Sequence, residues 1–163
     1  GLRLDCGFNI HVDAPAGTPE NARAGDMLRV EQAGAIRRME AAAQDNMYLY
    51  KARVEAVLDD ETLLAEINLG QGMTVRRHLS LRGLRTPRNE TTGSRAVKHM
   101  REVLAEGTPV VLRTHKTRER DHYQADVLYL ENARDPEKIL REGTHLNQEL
   151  LDRGLALYRA VTE

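Results

Sequence analysis

Between Tyr48 and Arg88 the chain alternates apolar and polar positions in three consecutive runs. Tyr48–Leu58, rich in Tyr, Val and Leu, has the period of two that predicts a half-buried strand. Asp59-Asp60-Glu61 interrupts it as an acidic turn, and Thr62–Ile67 follows as a short second strand. Leu69-Gly70-Gln71-Gly72 then reads as a glycine turn into a third strand, Met73–Leu81. Gly83 to Arg88 ends that strand, because Pro87 has no N–H to give a ladder. Beyond it the period changes. Arg95–Glu106 puts Ala96, Met100, Val103 and Leu104 on one helical face, with Thr91, Thr92 and Ser94 as candidate N-caps and Gly107 as the C-terminal cap. Pro109–Thr117 is a β-branched strand, Arg118–His122 a charged turn and Tyr123–Leu130 the strand that pairs back. Glu131–Gly143 is a polar connection with a short helix after Pro136. A last helix starts at Thr144 or His145, buries Leu146, Leu150 and Leu151, and stops at Gly154, leaving Leu155–Ala160 extended.

Three strands, a helix, two strands and a helix predict an α+β, mainly β fold: a five-stranded OB-type Greek-key barrel with two to three helices. The barrel domain spans residues 47–163 and is preceded by a β-rich extension, residues 1–46. In the extension, Leu2–Val12 has strand character around Cys6-Gly7, and Asp13–Asp26 is a Pro-, Gly- and Asn-containing loop. Met27–Gln32 and Ala35–Ala41 flank Ala33-Gly34 and are read as a hairpin, although Ala35–Ala43 also fits one short helix. Leu4–Val12 and Ile67–Val75 are loosely similar, each a strand, a glycine turn and a strand.

Composition narrows the picture less. The chain has 163 residues, 40% hydrophobic and 30% charged, enough for one domain and an appendage. No apolar run has transmembrane length and the first residues do not read as a secretory leader, so no membrane contact is expected. Cys6 is the single cysteine and excludes an internal disulfide; a cytoplasmic location is the simplest expectation. The net charge of −1 gives no global argument for nucleic acid. Its distribution is uneven: Arg76, Arg77, Arg82, Arg85 and Arg88 share a stretch without a carboxylate, and Arg113, Lys116, Arg118 and Arg120 form a second cluster. One Phe, no Trp and five Tyr argue against a broad base-stacking platform. The six histidines show no zinc-ligand spacing and are read as surface residues, with His115 and His122 facing each other across a turn. There is no phosphate-binding glycine loop and no nucleophile elbow.

Specific pieces of the chain resemble the staphylococcal (micrococcal) nuclease-like, or thermonuclease, family. They are Asp59-Asp60-Glu61-Thr62, the run Ser80-Leu81-Arg82-Gly83-Leu84-Arg85-Thr86-Pro87-Arg88, Asp121-His122-Tyr123, and a closing helix with Leu146-Asn147-Gln148-Glu149-Leu150-Leu151 and Gly154-Leu155-Ala156. Together they cover about residues 48 to 160 in the family's order. The resemblance implies the same barrel, and a site in which two aspartates hold calcium, a glutamate activates water and two arginines bind phosphate. Taken position by position, the aspartates fall on Glu61 and Arg85, the glutamate on Arg88, and the arginines on Ser80 and Ala125. None of the five is the family's residue. Tyr123 falls on a family tyrosine near the bound nucleotide.

The expectation is therefore a catalytically impaired nuclease-like domain that binds nucleic acid or a protein partner. Arg82, Arg85, Arg88 and Tyr123 are the binding candidates, and no cofactor is expected. An arginine neither ligates a cation nor serves as a base, and its charge repels a divalent ion. Two readings of Arg85 and Arg88 stand: an internal ion cluster with the acidic turn, or an anion pocket that uses the guanidinium fork on phosphate. Two other functions remain open. One is an active calcium-dependent phosphodiesterase with a site relocated to Asp59, Asp60 and Glu61. The other is an assembly domain whose residues 1–46 dock the barrel to another chain or to the rest of a longer one.

Overall fold

A computed structural model describes residues 1–31, 34–40 and 48–160. In chain order the elements are β1 (Arg3–Asp5), β2 (His11–Asp13), β3 (Met27–Val30), β4 (Ile36–Met39), β5 (Leu49–Val57), β6 (Thr62–Gly70), β7 (Met73–Leu81) and β8 (Leu84–Arg85). They continue with α1 (Glu90–Val103), β9 (Pro109–Lys116), β10 (Tyr123–Tyr129), α2 (Pro136–Glu142), β11 (Thr144–His145), α3 (Leu146–Asp152) and β12 (Leu157–Tyr158).

Five of these strands close a barrel. β5, β6 and β7 form an antiparallel meander, β7 runs parallel to β10, β10 is antiparallel to β9, and β9 pairs back onto β5. β5 can serve both neighbours because its register shifts between Val54 and Ala56, where an extra residue bends the strand. Inward positions alternate as the sequence predicts: Leu63, Ala65 and Ile67 on β6, and Tyr123, Ala125, Val127 and Tyr129 on β10, are all buried. Helix α1 plugs one end with Ala96 and Met100, joined by Leu104, while Arg101 donates to the carbonyl of Val57 at 3.2 Å. The mainly-β, OB-type barrel expected from the pattern is thus the fold observed.

Three boundaries differ for identifiable reasons. β6 runs on through Gly70, because Asn68 accepts from the Gly70 N–H at 2.7 Å and the turn itself is only Gln71-Gly72. α1 starts at Glu90 rather than Arg95: Asn89 is its N-cap, accepting from the Thr91 N–H at 3.0 Å, and Glu90 adds a favourable charge in the first turn. Thr91, Thr92 and Ser94 lie inside the helix. Gly107 is not the C-terminal cap, which is Leu104; its N–H instead bonds the carbonyl of Val54 at 2.7 Å.

The extension forms two small sheets of its own, β1–β2 and β3–β4. Ile36–Met39 is a strand, paired with β3, and not part of a helix; residues 41–43 lie outside the described ones. The loose similarity of Leu4–Val12 to Ile67–Val75 extends to the backbone. Gly7, Phe8 and Asn9 have φ of 83°, 55° and 60°, and Gly70, Gln71 and Gly72 have 84°, 53° and 74°. In each turn an Asx side chain accepts from the first glycine N–H, Asp5 from Gly7 at 2.8 Å and Asn68 from Gly70 at 2.7 Å. Among the described residues no helix is long and apolar enough to cross a membrane.

Candidate functional site

The acidic turn is tied down from within. Asp59 accepts from the Glu61 N–H at 2.8 Å, an Asx turn that fixes the loop between β5 and β6. The Glu61 carboxylate accepts from both Thr86 donors, N–H at 2.6 Å and Oγ1–H at 3.0 Å. Glu61 therefore stitches this turn to the segment between β8 and α1. Asp60 lies against α1, where a side chain at Gly93 would come within 2.9 Å of its Oδ2. Among the described residues no three His, Cys, Asp or Glu side chains are arranged to hold a metal ion. Both Thr86 bonds fall on one oxygen of Glu61, Oε1, so they fix the direction of the carboxylate toward the β8–α1 segment.

The ion cluster between Arg85 or Arg88 and Asp59–Glu61 does not form: among the described residues no salt bridge joins them. Oε1 of Glu61 takes both Thr86 donors, and Arg85 sits on β8, which is bound to β12 through the register Leu157–Arg85. Arg85 and Arg88 are both exposed, but Arg88 alone reaches the open groove of 1020 Å³ along α1, beside Asp59, Asp60, Lys98 and Arg101. The three candidate arginines are thus separated rather than gathered. Arg82 lies on a third surface, its Nη1 3.2 Å from Nε2 of His115.

That surface is a polar network. Asp126 meets His115 Nε2 at 3.0 Å and His145 Nε2 at 3.4 Å. Burial raises the Asp126 pKa, but the bonds from His145 and His115 outweigh it and leave the carboxyl below its ordinary value. The Nε of Arg82 is buried without a partner. Beneath, Asn147 is buried and holds three backbone groups: it accepts from Val127 N–H at 3.1 Å and donates to the carbonyls of Arg82 at 2.9 Å and Ala125 at 3.0 Å.

The other family positions scatter by strand face. Ser80 points outward between the buried Leu79 and Leu81, and its Oγ lies 3.2 Å from His122 Nε2. His122 Nδ1 is in turn 3.2 Å from a Glu119 carboxylate whose side chain is 81% exposed. The atom order is that of a serine relay, but Ser80 is mid-ladder and its carboxylate is loose in solvent, so the trio is a surface hydrogen-bonded chain. Ala125 is fully buried on the inner face of β10, where an arginine would have no room. Tyr123 is also buried, at 5% exposed, its ring 4.6 Å from that of Phe8 and its hydroxyl unpartnered. Burial pushes its pKa up.

Several side chains escape the sequence reading. His115 and His122 take separate partners instead of facing each other, since the first stands opposite Gln124 and the second precedes β10. His99 is not a surface residue: with its side chain 13% exposed it pairs with Glu149, which also accepts from the Tyr129 hydroxyl. Phe8, the one phenylalanine, is in the core although it sits in a glycine turn of the extension. A lone aromatic in a turn is the signal that could have pointed to it. No protein-family model matches the chain, and no curated protein is significantly similar to it.

Proposed function

We propose that this chain is a barrel of nuclease-like descent that binds nucleic acid without cutting it, through phosphate contacts from Arg82, Arg85 and Arg88. The observation that carries the reading is the engagement of Glu61 by Thr86 while the neighbouring Arg85 and Arg88 are exposed and have no carboxylate partner among the described residues. One oxygen of the Glu61 carboxylate is tied to the fold, and the guanidinium forks of Arg85 and Arg88 are left to solvent. The aromatic side chains are mostly covered, so affinity rests on the backbone phosphates and falls steeply with salt.

Fluorescence anisotropy with a labelled single-stranded DNA and its RNA counterpart tests this. Arg85→Ala with Arg88→Ala should remove measurable binding, and calcium should change neither wild-type binding nor oligonucleotide length. Cleavage in calcium that is lost in Glu61→Ala would support the relocated phosphodiesterase instead. A second reading, docking of a protein, is supported by β12, where Leu157 is 42% and Tyr158 70% exposed.

A further inference from the structure

The β1–β2 hairpin is attached to the barrel in an unusual way. It shares no ladder with any barrel strand and forms a sheet of its own. What holds it is its tip. Phe8 enters the barrel end opposite α1, with Tyr50 at 5.6 Å and Tyr123 at 4.6 Å between ring centroids and the guanidinium of Arg77 5.7 Å from its own ring centre. Around the rim, Tyr50 donates to the carbonyl of Cys6 at 2.7 Å, Tyr48 to Asp5 at 3.2 Å and Lys116 to Asn9 at 3.1 Å. Two tyrosine rings and a guanidinium around one flat ring, with a lysine at the edge, form a socket suited to an aromatic base carrying a phosphate. The hairpin supplies a protein imitation of that pair, the Phe8 ring and the Asp5 carboxylate. One polar group of the socket stays unanswered while the hairpin is in place: the buried hydroxyl of Tyr123.

We propose that the β1–β2 hairpin is a removable plug that competes, within the chain, with single-stranded nucleic acid for this end of the barrel. The proposal rests on the nucleic-acid reading above and adds its control. Plugged, the barrel offers only its arginines; unplugged, it also offers Tyr50 and Tyr123 for stacking. The tip, three successive positive-φ residues closed by bonds from Gly7 N–H to Asp5, Cys6 N–H to the Ile10 carbonyl and Ile10 N–H to the Gly7 carbonyl, presents Phe8 as a unit. Attachment without any shared ladder lets the unit leave without disturbing the barrel strands.

Cys6, the only thiol, sits in the hairpin beside its tip, is 8% exposed while the tip is seated, and so reports the opening directly. Thiol labelling of the full chain should proceed by a local opening whose rate is insensitive to low denaturant. Phe8→Ala should speed it about tenfold or more while barrel circular dichroism is kept. In parallel, Phe8→Ala should bind a labelled oligothymidine about tenfold tighter than wild type, the worth of one stacked base, and Tyr123→Ala in that background should cancel the gain. Tyr50→Phe, which removes only the bond to the Cys6 carbonyl, is the milder variant should Phe8→Ala fold poorly, and should shift both readouts in the same direction. Labelling of Cys6 only through global unfolding overturns the plug. So does unchanged or weaker oligonucleotide binding by the plug variants while Arg85→Ala with Arg88→Ala still abolishes it. Oligonucleotide binding by none of the proteins overturns the nucleic-acid reading, and the competition with it, whatever Cys6 reports.

Discussion

Asn147→Ala is the substitution for which the structure sets the firmest magnitude. β7 and β10 are paired only over Leu79–Leu81 and Tyr123–Ala125, after which β7 turns away. At that parting the Asn147 amide takes over from the ladder, binding Val127 N–H and the carbonyls of Arg82 and Ala125. Truncation leaves these groups inside the protein. The Ala125 carbonyl keeps a second bond, from the Arg82 N–H at 3.0 Å, so two groups are stranded rather than three. At about 1–3 kcal/mol for each stranded group, the loss is about 3 kcal/mol. With a urea m-value of about 2 kcal/mol/M, the midpoint should fall by about 1.5 M at unchanged slope, followed by far-ultraviolet circular dichroism. Asn147→Asp is the informative companion. It keeps the acceptor for Val127 but turns a carboxylate oxygen toward two carbonyls, and should be no more stable than the alanine variant. A loss below about 1 kcal/mol in Asn147→Ala would refute the argument, because it would mean water or a backbone shift satisfies the same groups.

Asp126 predicts an acid limb. Its carboxyl is lowered in the fold, so the unfolded chain binds more protons between the two pKa values; the stabilisation is present above the ordinary value of 3.8 and is lost as pH falls through the folded one. Asp126→Asn should therefore be less stable than wild type near neutrality and show a shallower decline in urea midpoint below about pH 4. The two related turns predict a contrast: at Gly7 an alanine Cβ would collide with the Tyr50 hydroxyl, whereas at Gly72 it meets open space. Both carry positive φ, so Gly72→Ala should cost about 1 kcal/mol, and Gly7→Ala more than that with faster Cys6 labelling. Thr86→Val removes the 3.0 Å bond to Glu61 but leaves the backbone one, and should cost about 1 kcal/mol in a urea melt. Calorimetry on the same variant should register no saturable calcium heat.

The frame of this protein is written locally, and its site is not. Met73–Leu81 is read from the sequence with the bounds the structure gives, because alternation and a glycine turn are local facts. The Asn89 cap escaped because three hydroxyl residues follow it within five positions, and the order of side chains alone does not say which of four candidates leaves the helix. The candidate site fails differently. Arg82, Arg85 and Arg88 recur every three residues and look like one cluster, yet each faces a different surface. They lie just past Leu81, where the chain has left the barrel ladder and the rule that alternate residues share a face no longer holds. From there side-chain direction is decided by distant partners: Asn147 on the Arg82 carbonyl, β12 beside Arg85, and Glu61 on Thr86. Ala125 and Ser80, by contrast, lie on regular strands, and there register decides the face. Register places Ser80 opposite Gln124 on the outer face and Ala125 opposite Leu81 in the core, so an arginine at 125 would point into the barrel and not lie beside Ser80. Ala125→Arg should consequently disrupt the barrel by burying an unpaired charge. Phosphodiesterase activity in a folded Ala125→Arg protein would show that residue 125 of β10 does not face the core.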